Sequence, residues 1–310
     1  METQSKTIGL IAAPFTPMYP DGRINLSAIS GYAEHLERFG VKGVFIGGTT
    51  GEGIALSLQE RMDLCERWVS VVGSGLRVIV HVGHNSLEAS CRLATHAEQT
   101  GAHAIAGLPP FFFRPSGVAP LVEWSRIVAA AARELPFYYY HIPSMTGVGL
   151  SMVDFLSEAG KAIPTFVGIK FTHEDLPEFA ACVQAAGGRF DMLFGRDELL
   201  LSALQVGARG AVGSTYNFAA PLYHRIIAEA EKNSGEAARL QAVAVQMIQA
   251  FLECGAHPLA AMKAHMQRCG VDCGPARLPL DNLTTGQAER LEVALVASGL
   301  YDWVPLSAAV

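Results

Sequence analysis

Eight short apolar runs, each followed by a longer amphipathic stretch, constrain this 310-residue chain more than any other feature. They are IGLIAAP (8–14), GVFIGG (43–48), RVIVHV (77–82), HAIAGLP (103–109), FYYYHI (137–142), FVGIKF (166–171), DMLFG (191–195) and GAVGS (210–214). They are rich in Val, Ile, Phe and Tyr and lack the polar–apolar alternation of a half-exposed strand. Strands covered on both faces read this way, which is the pattern of a parallel sheet. The intervening segments carry helical periodicity. Ile29, Tyr32, Leu36 and Phe39 form one stripe of segment 26–40, which stops at Gly40. Segment 57–73 opens on the capping box Ser57-x-x-Glu60, and segment 86–101 on a serine cap with a closing glycine.

Such units at a repeat of roughly 30 residues predict an α/β fold, a (β/α)8 barrel of the TIM type. The competing arrangement, an open doubly wound sheet, usually carries a GxGxxG turn after its first strand, and here that turn reads APFTPMYPDGR. Beyond Ser214 the segments PLYHRIIAEAEKNS, GEAARLQAVAVQMIQAFLECG, PLAAMKAHMQRCG and TTGQAERLEVALVASG read as four helices. The first closes the barrel and the rest form a C-terminal helical extension. The expected division is a catalytic barrel over 1–232 and an extension over 233–310, packed on the barrel because no low-complexity linker separates them.

Composition narrows the function. At 50% hydrophobic and 17% charged residues the chain can bury a large core, which excludes disorder. A net charge of -6 argues against nucleic-acid or anionic-membrane partners and leaves small metabolites. No apolar run approaches the ~20 residues that span a bilayer, and METQSKTIGLIAAPF makes a poor secretion signal. Six scattered cysteines without a CxxC pair point to reduced thiols and a cytoplasmic location. Cys269 and Cys273 lie close together but lack matching histidines for zinc, while His81 and His84 face opposite ways on a strand, so no metal site is expected.

In a barrel, chemistry sits where strands end and loops begin. Lys170 lies inside the enclosed run VGIKF, where burial disfavours its charge and makes it a nucleophile for a carbonyl carbon. Tyr138 and Tyr140 share one face of strand five; Tyr140 is nearer the functional end, on the strand beside Lys170, and is either a core tyrosine or a proton relay. The turn Gly47-Gly48-Thr49-Thr50-Gly51-Glu52-Gly53 is either a flexible turn or a cradle for one small carboxylate. Asp197 and Glu198 are either helix-start acids or, beside Gly195 and Ser214, a rim for hydroxyl groups.

Taken together, GGTTGEG, YYYHIPSMTGV, GIKFT, GRDE and GSTYN, in this order, resemble the dihydrodipicolinate synthase/N-acetylneuraminate lyase superfamily, and most closely its lyase branch. The resemblance runs from about Ile8 to Asn217. Met145 stands where the synthase branch carries an arginine, and Phe111-Phe112-Phe113 where it carries a tyrosine for a partner subunit. The resemblance implies a class I aldolase that reversibly cleaves N-acetylneuraminate (a sialic acid) to N-acetylmannosamine and pyruvate, without a cofactor beyond the covalent Schiff base on Lys170. It implies Tyr140 as the phenol that relays protons, and Thr49, Thr50 and Gly51 around the substrate carboxylate. It implies Thr172, Gly195, Asp197, Glu198 and Ser214 around the sugar, and a homotetramer. Another pyruvate-dependent aldolase or dehydratase acting on a 2-keto-3-deoxy sugar acid, or a non-catalytic sensor of sialic acid or pyruvate, would share much of this pattern.

Overall fold

The computed structural model describes residues 6–73, 75–232 and 234–304; the opening METQS and the boundary residue Asn233 lie outside them. All eight apolar runs are strands: β1 Gly9–Ala12, β2 Gly43–Ile46, β3 Arg77–His81, β4 Ala104–Gly107, β5 Phe137–His141, β6 Phe166–Phe171, β7 Asp191–Phe194 and β8 Gly210–Gly213. Each is parallel to its neighbours, and β8 pairs back onto β1 to close a barrel. The helices are α1 Ile29–Arg38, α2 Leu58–Val71, α3 Leu87–Thr100, α4 Val118–Ala130, α5 Pro143–Thr146, α6 Met152–Ala162, α7 Leu176–Gly188, α8 Leu200–Gln205, α9 Tyr216–Glu231, α10 Gly235–Leu252, α11 Pro258–Arg268 and α12 Thr285–Ala297. Among the described residues no helix is long and apolar enough to cross a membrane.

Local chemistry sets the helix ends as the sequence leads one to expect. Ser57 accepts from the Glu60 amide while the Glu60 carboxylate accepts from the Ser57 amide, so α2 begins there. Ser86 caps α3, which stops at Gly101 in the left-handed region at φ 87°. On α1 the residues Ile29, Tyr32 and Leu36 are fully buried, and Phe39 ends the stripe half-buried.

Strand alternation splits the core in two. Ile11, Phe45, Ile79, Tyr138, Tyr140, Leu193 and Val212 fill the barrel interior, whereas Leu10, Val44, Val78, Tyr139 and Phe194 pack against the helical layer. Tyr139 thus stacks on Phe155 of α6 with ring centroids 4.4 Å apart, and Tyr138 donates from its hydroxyl to Asp191 at 2.7 Å. Beyond the barrel, α10 packs along α9 and against α12.

Barrel closure is secured by Asn217, which is fully buried. Its side-chain amide donates to the carbonyls of Ala13 and Ser214, both at 2.7 Å, and its side-chain oxygen accepts from the Tyr32 hydroxyl at 2.6 Å. Pro221, inside α9, has no N–H to offer the Asn217 carbonyl one turn back. His35 of α1 takes that carbonyl instead, with Nε2 at 2.8 Å. One residue therefore joins α1, β1 and β8. Asn217→Ala strands several buried polar groups and should cost about 2–4 kcal/mol. The check is a urea titration, in which the midpoint falls with an unchanged slope.

Candidate active site

The site grows from one amine. Lys170 sits on the inward face of β6, in register with Tyr140 of β5 and Leu193 of β7, and is 4% exposed. Its Nζ lies 4.0 Å from the ring centroids of both Phe45 and Tyr140, so its close neighbours are aromatic faces. Burial holds the amine below its ordinary pKa of 10.5; Tyr140 and the more distant Asp197 oppose that shift without overcoming it. A neutral amine at neutral pH is a nucleophile for a carbonyl carbon.

Opposite the amine stands the turn after β2. The Glu52 and Gly53 amides donate back to the carbonyls of Thr49 and Gly48, folding the segment tightly. A side chain at Gly53 would run into the Gly47 carbonyl, so only glycine fits. With those amides used in the turn, the threonine hydroxyls face the cleft. Thr49 Oγ1 is 3.3 Å from the Tyr140 hydroxyl, and Thr50 Oγ1 is 2.6 Å from Ser214 Oγ. Gly51 stands apart: its carbonyl accepts from Thr16 at 2.6 Å, and it does not line the cleft.

The two acids after β7 have separate surroundings. Asp197 is buried, and its Oδ2 accepts from the Thr215 amide at 2.9 Å and the Thr215 hydroxyl at 2.6 Å. Burial pushes its carboxyl up to about 6 against the pull of those bonds. Glu198 is half-buried and pairs with Arg196 at 2.8 Å. Both line the cleft. Gly195 is required by crowding, because a Cβ there would collide with the Thr172 hydroxyl, which is itself buried without a hydrogen-bond partner.

These groups share one cleft of about 820 Å³ at the C-terminal end of the barrel. Thr49, Thr50, Tyr140, Lys170, Thr172, Gly195, Asp197, Glu198 and Ser214 all line it, as does Met145. An amine of lowered pKa, a phenol and paired hydroxyls facing one space can hold a small carboxylate with its adjacent carbonyl against the amine. Among the described residues no group of three His, Cys, Asp or Glu could hold a metal ion.

Sequence reasoning missed several contributors. Phe45 walls the amine, a role no motif marks. His81, considered above only as half of a metal pair, lies edge-on to the Tyr140 ring at 5.7 Å, donates through Nδ1 to the Gly47 carbonyl, and is held well below its ordinary pKa by burial. Arg61, buried in α2, donates to the carbonyls of His81 and Gly83 and so shapes the turn after β3. Gln241 and Lys263 of the extension reach the loops after β7 and β2. Neither leaves a local signal.

The chain matches the dihydrodipicolinate synthetase family over residues 6–298. It is 42% identical over 307 residues to the N-acetylneuraminate lyase of Pongo abelii, covering 98% of this chain and 96% of that protein. Among solved structures, the N-acetylneuraminate lyase of Proteus mirabilis superposes with a TM-score of 0.92 at 41% identity, over 96% of this chain and all of that one. The N-acetylneuraminate lyase of Aliivibrio salmonicida gives a TM-score of 0.92 at 40% identity, over 96% and 98% of the two chains.

The charge balance at the amine is testable. Reaction of Lys170 with a small 2-keto acid, trapped by borohydride at a series of pH values, should rise with pH to a plateau whose midpoint lies below 10.5. Ionised Asp197 favours the ammonium form, so Asp197→Asn should move that midpoint further down; an upward move would contradict the balance.

Proposed function

Since the chain belongs to the dihydrodipicolinate synthetase family, we propose that it is an N-acetylneuraminate lyase, a class I aldolase that reversibly cleaves open-chain N-acetylneuraminate to N-acetylmannosamine and pyruvate. The observation that carries this reading is the buried amine of Lys170 between two aromatic rings, facing the Thr49–Thr50 hydroxyls across one cleft. Relatives of that activity over nearly the whole chain support the choice of substrate.

Neutral Lys170 attacks the C2 ketone, and loss of water from the carbinolamine gives an iminium. The C3–C4 bond then breaks: the C4 hydroxyl loses its proton, the C4 oxygen becomes the aldehyde oxygen, and the bonding pair moves through C3 into the iminium to form an enamine. Tyr140, on the strand beside Lys170, receives the C4 proton and passes it on. Thr49, whose hydroxyl is 3.3 Å from the phenol, completes the relay toward the substrate carboxylate. N-acetylmannosamine leaves, the enamine takes a proton at C3, and hydrolysis of the imine frees pyruvate and Lys170. The lysine supplies the electron sink, so the scheme calls for no other cofactor.

Thr49 and Thr50 hold the carboxylate, with Gly51 contributing only the shape of the turn. Thr172, Gly195, Asp197, Glu198 and Ser214 face the sugar hydroxyls. Met145, 64% exposed at the cleft, offers no charge for a second substrate carboxylate, which supports a sugar substrate over the synthase reaction. The same reading includes a homotetramer and a cytoplasmic location. The first is supported by Phe112 and Phe113, 76% and 85% exposed and stacked edge-on at 5.0 Å, an aromatic pair suited to a subunit contact. The second is supported by six free cysteines.

Release of pyruvate from N-acetylneuraminate, followed by coupled reduction to lactate, tests the activity. Lys170→Ala should abolish both release and the borohydride-trapped pyruvate adduct. Tyr140→Phe should keep the adduct but lose about 10²–10⁴ in turnover, the usual worth of a positioned proton carrier. Absence of release from folded wild-type protein that still traps pyruvate would transfer the reading to another 2-keto-3-deoxy sugar acid.

A further inference from the structure

Two loops line the cleft, and each is held from behind by one polar residue of the C-terminal extension. Behind the turn after β2, Lys263 of α11 is 1% exposed and donates to Glu52 Oε1 at 2.8 Å and to the Pro275 carbonyl at 2.6 Å. The second oxygen of Glu52 accepts from the Arg277 amide at 2.7 Å. Glu52 is also one of two non-glycine residues with positive φ among the described residues, at 54°, two positions after Thr50. A left-handed glutamate persists only where its surroundings fix it. Here the fixing group is a fully buried ion pair, with the two side chains 0% and 1% exposed.

Behind the loop after β7, Gln241 of α10 donates through its side-chain amide to the carbonyls of Asp197 and Glu198 at 3.2 and 3.1 Å. Its side-chain oxygen accepts from the Leu201 amide at 3.0 Å. These three bonds bracket the residues that line the sugar side of the cleft, while Gln241 itself does not line it.

We propose that Lys263 and Gln241 are positioning residues with separate duties, Lys263 setting the affinity for the keto acid through the Glu52 turn and Gln241 setting the affinity for the aldehyde through the Asp197–Glu198 loop. The extension is thereby part of the active-site machinery, with one contact for each half of the substrate. Neither residue touches substrate; each acts by holding groups that do. Small displacements of such groups are enough to weaken binding.

This inference rests on the lyase reading, and its test keeps the two apart. Condensation of pyruvate with N-acetylmannosamine is measured with each substrate varied against saturating amounts of the other. Since Lys263→Met alone leaves a buried carboxylate uncompensated, the informative variant is the neutral pair Glu52→Gln/Lys263→Met, with Lys263→Arg as the charge-conserving control. The neutral pair should raise the KM for pyruvate about tenfold, the worth of one weakened hydrogen bond to the ligand, and leave the KM for N-acetylmannosamine within a factor of about two. Gln241→Met should do the reverse, and Lys263→Arg should recover most of the pyruvate KM. Equal rises of both constants in both variants, or lowered melting temperatures with unchanged constants, would overturn the proposal and leave the two residues as scaffold. A wild type that neither condenses the two compounds nor traps pyruvate with borohydride would instead overturn the lyase reading.

Discussion

Desolvation of a single amine is the constraint on which the site turns. In water the Lys170 ammonium would be strongly hydrated; inside the barrel it meets the faces of Phe45 and Tyr140. Rings offer a cation some attraction, but less than the hydration it forgoes, so the neutral form gains. An eight-stranded barrel is narrow enough for interior side chains to fill it. Closure of β8 onto β1, with Asn217 and His35 holding the seam, therefore bears directly on reactivity.

The second buried lysine shows how environment assigns a role. Lys263 is as enclosed as Lys170, and burial lowers its pKa in the same direction, with Glu52 at 2.8 Å opposing that shift without overcoming it. One amine faces a carboxylate and serves as a tether. The other faces aromatic rings and an open cleft and is left free to react. Distance to a counter-ion separates the two roles, and residue type does not.

The same distinction explains what could be read from the chain. The barrel was legible because eight short apolar runs alternate with amphipathic segments at a regular repeat, and Lys170 was legible because it interrupts one of them. Tyr140 followed from alternation and register. The behaviour of neighbouring residues in turns was harder to read: Gly51 falls outside the cleft wall although Thr49 and Thr50 line it, and Asp197 is buried against Thr215 while Glu198 pairs with Arg196. A one-residue step through a turn separates those fates, and composition carries no trace of it. Glu52 and Lys263 meet across 211 residues of sequence, and such a contact has no periodicity to betray it.

Crowding at Gly195 sets a limit on how this cleft can be reshaped. Any side chain there collides with the Thr172 hydroxyl, and Gly213 is under the same restriction from the Asp197 carboxylate. Narrowing the pocket at either position therefore demands a paired exchange, glycine enlarged while its neighbour shrinks. A search through single replacements would find both positions closed. Met145, more than half exposed at the mouth, carries no such coupling, and a redesign for altered sugars has its freest starting point there.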